Sequence, residues 1–367
     1  MIKVLTYNEI DRGEWSRLVQ TSATGTWFQT PEAFEFFESM PNLFRSFVVG
    51  VASNLPFLQG RGGYRLLLRG VCVGYVTVEK NPIKQYFTRR AIIIGGPCLA
   101  DDATDEEVMV LLSALNTQLS TGNNAPIYIE TRNFNDYSKW RNAFEHCGGH
   151  PRRRPLLPFR WKDAPGFEYK RHLNFHVDCT DKEQMWERLS KTRQKQIRRA
   201  MRSGVEVVEP AEEDVKKWYA ILQEMYRQKV KLPLLPMDFF LNAYRSGNAK
   251  YLMVKFNGEV IGGLMFEMDE KSVYEWYVCG LDSAYERQYP SVVATYAGME
   301  YANTHGRRCC DLMGAGEPGV PYGVRDFKER FGGQLVEHGR FVCVREPILY
   351  KIGVLAVKMM KMMKMMR

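Results

Sequence analysis

Apolar and polar positions in the first half of the chain follow two periods, one typical of strands and one typical of helices. Alternating apolar residues predict strands at 46–52, 71–79, 90–95 and 127–131. Apolar residues three and four positions apart predict helices at 32–40, 106–119 and 137–147, and a strand with a short helix is predicted within 1–20. This order is typical of a small α/β domain with a mixed sheet and not of a regular βαβ alternation.

From about Phe167 the pattern begins again. Strands are predicted at 172–179, 205–208, 251–256, 260–268, 272–278 and 309–313, helices at 182–202, 212–228, 237–245 and 291–304, and a further element from 327–331. Two stretches, 55–70 and 149–166, fit neither period and are interpreted as loops or insertions. The repeated order predicts two tandem domains, 1–166 and 167–345, followed by a basic, Met-rich helix over 346–367.

Composition narrows the class of protein. The 367 residues exceed what one hydrophobic core usually organises, and 45% of them are apolar. No apolar run reaches the length of a signal peptide or a transmembrane helix, so we expect a cytoplasmic protein. The eight cysteines form no C-x-x-C pair and the six histidines are scattered, which favours reduced, buried thiols and argues against a metal site. The net charge of +9 indicates an anionic partner, which could be RNA, a phosphorylated metabolite or an acidic membrane.

The strongest local signal is the basic stretch 189–205. Ser190 can cap a helix whose next twelve residues carry six cations and no acid. Lys191, Arg193 and Arg198 are among these cations, and arginine binds phosphate bidentately. The pattern predicts either a phosphate-binding helix or a solvated basic face.

This stretch resembles the motif that opens the second domain of the FemABX aminoacyltransferases, which build peptidoglycan cross-bridges. A second FemABX-like motif follows about 110 residues later, as Asp311-Leu-Met-Gly-Ala-Gly316 and Phe327-Lys-Glu-Arg-Phe-Gly-Gly333. The resemblance covers roughly 170–340, and in the first half it rests on Phe28-Gln29 and Gly95-Gly-Pro97. It implies two tandem GNAT-like domains, each a mixed, mostly antiparallel sheet flanked by helices.

The family also implies an activity. An amino acid passes from aminoacyl-tRNA to an amine of a peptidoglycan precursor, which is linked to a nucleotide or a lipid. The expected partners are therefore tRNA and such a precursor, with aminoacyl-tRNA as co-substrate and no other cofactor. The reaction requires orientation of both substrates, stabilisation of an oxyanion and transfer of one proton, and it needs no nucleophilic serine or cysteine.

The resemblance suggests which residues carry this chemistry. Lys328 matches the lysine of the Phe-Lys motif and is expected to stabilise developing negative charge, unless it is a surface lysine beside Glu329. Asp311 either orients an amine or caps a strand. The candidate substrate-binding residues are Arg193 and Arg198 for an acceptor phosphate, Lys191 beside them, and Tyr277, Tyr322 and Arg325 in the cleft.

One further segment indicates which acyl donor is favoured. GNAT acetyltransferases bind the pyrophosphate of coenzyme A with a Gly-rich turn at a helix N-terminus. The corresponding segment here, 285–291, contains no glycine, which makes acyl-CoA a less favoured donor. Two alternatives stay open: an acyltransferase in envelope polysaccharide synthesis that uses acyl-CoA or acyl-carrier protein, and a non-catalytic module that binds RNA or an anionic surface.

Two features bear on the acceptor. Family members often carry a phosphate-binding lysine after the first-domain glutamine, whereas this chain has the acidic and aromatic segment 34–38, which weakens the case for a nucleotide-linked acceptor. The tail 346–367 places cations among six methionines. It either docks on the protein as a frayed terminal helix or contacts an anionic membrane at its inner face, which would suit a lipid-linked acceptor.

Overall fold

The computed structural model of the protein describes residues 2–56, 64–120, 125–147, 166–230 and 233–365. The chain divides into two compact units, one formed by Met1–Arg171 with His338–Arg367 and the other by His172–Glu337. Each unit contains one sheet flanked by helices, which confirms the predicted fold class.

The first part of the chain supplies most of the first unit. Its elements are β1 (Ile2–Leu5), α1 (Arg12–Thr21), α2 (Pro31–Glu38), β2 (Phe44–Pro56), β3 (Tyr64–Thr77), α3 (Pro82–Thr88), β4 (Arg90–Gly95), β5 (Cys98–Leu99), α4 (Asp105–Gln118), β6 (Tyr128–Asn133), α5 (Arg141–His146) and β7 (Glu168–Lys170). Local sequence explains the helix starts. The hydroxyl of Thr30 accepts a hydrogen bond from the amide of Ala33, and Pro31 occupies the first position of α2.

The second unit follows, and the chain then returns to the first. The elements are β8 (Asn174–Asp178), α6 (Lys182–Arg188), α7 (Lys191–Arg202), β9 (Val205–Val208), α8 (Glu212–Met225), α9 (Met237–Arg245), β10 (Lys250–Phe256), β11 (Glu259–Met268), β12 (Ser272–Gly280), α10 (Pro290–Thr304), β13 (Cys309–Gly314), α11 (Gly323–Glu329), β14 (Gln334–Val336), β15 (Arg340–Val344) and α12 (Pro347–Met365). The predicted helix 182–202 is two helices, because Ser190 caps a new helix at this point.

Both sheets are mostly antiparallel. The first has the order β1-β2-β3-β4-β6-β15-β7 with β5 beside β3, and the second has the order β14-β8-β13-β12-β11-β10-β9. Each contains one parallel pair, β4 with β6 and β12 with β13. In the second unit α10 packs on one face of the sheet, where Val293 and Leu264 are fully buried. Trp218 of α8 is also buried, and its ring lies 5.8 Å from the ring of Phe240 on α9.

The structure also differs from the sequence-based description at β15 and within 55–70. The strand β15, placed in the second domain by the predicted boundary at 345, pairs with β6 and β7 of the first unit, where Phe341 stacks on Phe144 at 4.0 Å. The interpretation of 55–70 as a loop is wrong for 55–56 and 64–70, because β2 and β3 pair as far as Pro56 and Tyr64, and 57–63 lie outside the described residues. Consecutive leucines at 66–68 obscure the alternation there. The stretch 149–166 lies almost entirely outside the described residues.

None of the helices described above combines the length and the apolar character needed to cross a membrane.

Candidate active site

The sheet of the second unit opens between its two parallel strands. β12 and β13 pair only over 272–274 and 309–311, although β12 continues to Gly280 and β13 to Gly314. A β-bulge at Trp276 adds to the divergence, because Tyr277 and Glu275 pair with consecutive residues of β11. The carbonyls at the end of β13 therefore lie where β12 no longer pairs with them.

Lys328 of α11 occupies this opening. Its Nζ donates hydrogen bonds to the carbonyl oxygens of Leu312 and Gly314, the second at 3.0 Å, and its side chain is buried. Buried carbonyls require a donor, and the ammonium group supplies one where the strand pairing has ended. The predicted alternative of a surface lysine is therefore wrong.

Two carboxyl groups surround this ammonium group. Asp311 of β13 is buried, and its Oδ1 accepts a hydrogen bond from the amide of Met313 at 2.6 Å. Its Oδ2 lies 3.4 Å from Nδ2 of Asn174 and 3.5 Å from Nε2 of His176, both on β8. Glu275, at the bulge of β12, is also buried, and its Oε2 has no hydrogen-bond partner among the described residues.

The pKa values of these groups are coupled. Burial lowers the pKa of Lys328, and the charges of Glu275 and Asp311 oppose that shift. Burial raises the pKa of Glu275 to about 7, while Lys328 favours its carboxylate form. Burial would lower the pKa of His176, but the contact with the Asp311 carboxylate and the charge of that carboxylate together outweigh burial and raise the pKa. The cluster can therefore change its protonation near neutral pH, as acid–base chemistry requires.

Arg193 joins the two FemABX-like motifs. It is buried at the start of α7, its Nη2 donates to the carbonyl oxygen of Phe327 at 3.3 Å, and its guanidinium lies 4.5 Å from the Phe327 ring and 4.9 Å from the Phe331 ring. The amide of Ser190 also bonds to the carbonyl of Arg330 at 3.0 Å. This placement does not support the predicted contact of Arg193 with a substrate phosphate; its guanidinium instead fixes the segment that carries Lys328.

Lys191 and Arg198 lie on the outer side of α7. Both are exposed, and the guanidinium of Arg198 lies 5.0 Å from the ring of Trp186. Arg198 borders a surface groove of about 480 Å³. The other groove residues are the aromatic and aliphatic side chains Trp186, Ile197, Met201 and Tyr296, with Arg202 and Glu300.

The last three predicted residues have different surroundings. Arg325 holds the loop before α11, because its guanidinium donates to the carbonyls of Ala315 at 2.9 Å, Val320 at 3.0 Å and Glu317. Tyr322 precedes α11 and is 42% exposed. Tyr277 is packed by aromatic rings, with the ring of Phe240 at 5.0 Å. Arg325 therefore lies in the same helix as Lys328, and Tyr322 lies at the start of that helix. Tyr277 lies two residues after Glu275 on β12.

The start of α10 is the place where a GNAT enzyme would hold a pyrophosphate. Asp282 already accepts two hydrogen bonds there, from the amide of Ser291 at 3.1 Å and from its hydroxyl at 2.6 Å. Pro290, at the first helical position, has no amide hydrogen to donate. Gly280 approaches so closely that a Cβ would lie 2.6 Å from the amide nitrogen of Ser291. These residues do not fit the pyrophosphate of coenzyme A.

Sequence reasoning missed Glu275, His176 and Asp282. Glu275 could have been noticed as an acid within the apolar strand 273–278, since a charge in a buried strand needs an explanation. His176 and Asp282 gave no comparable signal, because their roles depend on contacts with β13 and α10. Across the described parts of the chain, no three His, Cys, Asp or Glu side chains cluster as metal ligands would.

Comparison with known proteins defines the class. Residues 190–329 match the family described as acetyltransferase (GNAT) domain, and they run from the cap of α7 to the end of α11. The chain is an acyltransferase with the tandem GNAT fold. No curated protein matches it in sequence.

Solved structures extend the match to the whole chain. A crystal structure of FemX superposes with a TM-score of 0.66 at 13% identity, over 95% of this chain and 99% of that chain. A tandem GNAT protein from the clavulanic acid biosynthesis pathway gives a TM-score of 0.52 at 9% identity, over 93% and 98%. L-PGS from Bacillus licheniformis gives 0.50 at 11% identity, over 94% and 96%. The predicted FemABX resemblance is confirmed at the level of the fold.

Proposed function

We propose that the protein transfers an aminoacyl group from aminoacyl-tRNA to an amine of a peptidoglycan precursor. The fold shared with FemX supports this class of reaction. The observation that carries the choice of donor is the start of α10, where the chain's own Asp282 takes the place of an anion. A pyrophosphate would have to displace this carboxylate or lie against it, and like charges repel.

The outer face of α7 provides a surface for the RNA backbone. Five of its cations are exposed and form no ion pair with an acid of the described residues: Lys191, Lys195, Arg198, Arg199 and Arg202. Unpaired cations on one helix repel each other, and phosphates would relieve that repulsion. The groove beside them has an aromatic wall, Trp186 and Tyr296, with ring centroids 5.5 Å apart. Aromatic side chains next to arginines are the surface on which unpaired bases stack.

The cluster around Lys328 would perform the chemistry. The acceptor amine attacks the ester carbonyl, a C–N bond forms, the ester C–O bond breaks, and the amine proton passes to the ribose hydroxyl that leaves. Lys328 uses two of its three N–H groups on the carbonyls of β13, and the third can stabilise the developing oxyanion. Glu275 keeps Lys328 protonated against the effect of its burial.

The acceptor is recognised without the cation that FemABX members place after the first-domain glutamine. Phe34, Phe36 and Phe37 are buried in α2, and Glu35 binds Arg12. This helix therefore offers no positive charge to a diphosphate, so the proposal leaves the nucleotide- and lipid-linked precursors to be distinguished by experiment.

Incubation with charged total tRNA and cell-wall precursors, followed by mass spectrometry, tests the reaction directly. Binding of tRNA should weaken steeply with salt, and Lys195→Gln with Arg199→Gln should reduce the slope of log K against log salt by about 1 to 2. Lys216→Gln is the matched control, because Lys216 on α8 is already paired with Glu213 at 2.7 Å.

Failure to bind tRNA even at low salt contradicts the proposal. If a coenzyme A thioester raised the melting temperature and tRNA did not, the acyl-CoA-dependent alternative would replace it.

A further inference from the structure

The exposed large apolar side chains of the protein are unevenly distributed. Among the residues whose side chains the structure describes, eight exposed large apolar residues lie on two helices of the first unit, α3 and α12: Ile83 (72% exposed), Tyr86 (50%), Phe87 (42%), Ile348 (76%), Ile352 (46%), Val354 (41%), Leu355 (59%) and Met359 (49%). Single exposed apolar residues are ordinary on protein surfaces, but several on two neighbouring helices indicate a surface that contacts something else.

The two helices are held in place and contact each other. Asn81 caps α3 through the amide of Lys84 at 3.0 Å, and Gln85 donates to the carbonyl of Thr77 at 3.1 Å. α12 is fixed at its start, where the ring of Tyr350 lies 5.2 Å from that of Tyr128 on β6. The apolar side chains therefore lie on helices that are anchored to the first unit. We call these residues the α3–α12 face, with the exception of Val354, which points to another side of α12.

The sequence from the start of α12 to Arg367 carries charge of one sign. Residues 347–367 contain five cations, Lys351, Lys358, Lys361, Lys364 and Arg367, and no acid. Directly after α3, the guanidinium of Arg89 lies 5.0 Å from the ring of Tyr86, while Lys84 on α3 is paired with Glu79 at 2.8 Å. Apolar residues interleaved with cations, with an aromatic ring beside an arginine, are typical of segments that lie in the interface of an anionic bilayer.

We propose that the α3–α12 face docks on an anionic lipid surface. A second copy of the chain is a poorer occupant, because a symmetric contact would bring one basic segment against another of the same sequence. The two helices would place their apolar side chains at the level of the acyl chains and their cations among the headgroups. This inference does not depend on the tRNA donor; it bears on the acceptor, since docking would bring the enzyme to a lipid-linked precursor.

Co-sedimentation of the full-length protein with vesicles tests it. Two kinds of vesicle serve as probes: phosphatidylcholine alone, and phosphatidylcholine with about 30% phosphatidylglycerol. The second kind is anionic, and each anionic headgroup near a cation strengthens binding. We expect binding to the anionic vesicles that weakens with salt. Leu355→Ser and Ile83→Ser should each reduce the partition coefficient by about tenfold, because each removes a side chain that would be buried in the bilayer.

Leu335→Ser is the matched control, because Leu335 is 45% exposed on β14 of the second unit and lies outside the face. It should bind vesicles as the wild type does. Absence of binding to anionic vesicles, or equal binding by all variants, overturns the proposal, and so does a change in sedimentation coefficient that shows the face to be a dimer contact. Because tRNA binding is measured separately and should be unchanged in Leu355→Ser, failure of either proposal can be recognised without the other.

Discussion

The two units bury carboxyl groups to a similar degree but surround them with different partners. In the first unit Glu107 and Glu130 are 5% and 7% exposed, and arginines accompany both. Nε of Arg69 lies 3.1 Å from Oε1 of Glu107, and Arg340 donates to Glu130. In the second unit Glu275 is 4% exposed with one oxygen unpartnered within the described chain, and Glu267 is fully buried with both oxygens unpartnered there.

The pKa shifts follow this difference. Burial alone would raise the pKa of Glu107 and Glu130, but arginine charges and hydrogen bonds outweigh it and lower both. In Glu267 and Glu275 burial dominates and raises both pKa values. Buried acids in the two units thus have pKa shifts of opposite sign, because within the described residues guanidinium groups lie beside Glu107 and Glu130 but not beside Glu267 and Glu275. An uncompensated buried acid costs stability, and proteins tend to keep such groups at functional sites.

The largest expected effect is on the stability of the first unit. Arg69→Met would leave Glu107 buried without its charge partner, since the side chains of Arg69 and Glu107 are only 9% and 6% exposed. We expect the free energy of unfolding to fall by about 3 to 5 kcal/mol, measured by urea denaturation. Arg12→Met is the control, because Arg12 pairs with Glu32 and Glu35 at the surface and should matter far less. Equal losses in the two variants would contradict the comparison.

In the second unit, we expect substitution to affect the rate of transfer more than stability. Lys328→Met keeps much of the side-chain volume but removes the ammonium group between the diverging strands. We expect transfer to slow by about 10² to 10³, as for loss of an oxyanion-stabilising donor. Lys255→Met provides the comparison, because Lys255 pairs with Asp214 at 2.9 Å and lies outside the cluster. An unchanged circular dichroism spectrum is needed to show that Lys328→Met is folded, and activity near that of the wild type would exclude the proposed role.

Glu275→Gln should alter the pH profile more than the fold. In the wild type the Glu275 carboxylate opposes the burial that lowers the pKa of Lys328. Without it the pKa of Lys328 falls further, so the cation is lost at lower pH and the alkaline limb of kcat/KM moves down. Since the pKa of Glu275 is about 7, the wild type should show a transition near that pH that the variant lacks. At alkaline pH we expect kcat/KM of the variant to be about tenfold below that of the wild type, which is the effect of one pKa unit. Superimposable pH profiles would show that Glu275 does not change the pKa of Lys328.

The fold was largely accessible from sequence, because most of its signals are local. The predicted bounds of β4, β9 and α9 agree with the structure, since each combines a clear apolar period with a cap, a glycine or a tight turn. β15 could not be assigned to its sheet, because its partners β6 and β7 are more than a hundred residues earlier in the chain. The exposed helix α3 was not predicted, because it is short and has no buried apolar stripe.

The site was accessible only in part. The motif around Phe327 identified Lys328 by resemblance, but burial and the carbonyls that hold it depend on where β12 and β13 stop pairing. A run of cations likewise does not tell which one is buried, and Arg193 differs from Arg198 only in the direction it faces from α7. The pattern of charges predicts that a site exists, whereas the contacts across the sheet decide which residues form it.

The smallest effect concerns Glu267, the buried acid for which we assign no catalytic role. Replacement by leucine removes a carboxyl group with two unpartnered oxygens and should raise the free energy of unfolding by about 1 kcal/mol at neutral pH. Because burial raises the pKa of Glu267 in the folded protein, only the unfolded chain ionises this group as pH rises above about 4.5, and wild-type stability falls from that pH upward. Glu267→Leu should flatten this decline in urea unfolding between pH 5 and 8, roughly, whereas Glu259→Leu, at the exposed start of the same strand, should not. If Glu267→Leu instead abolished transfer while stability rose, Glu267 would join Glu275 as a buried acid that the second unit retains for function.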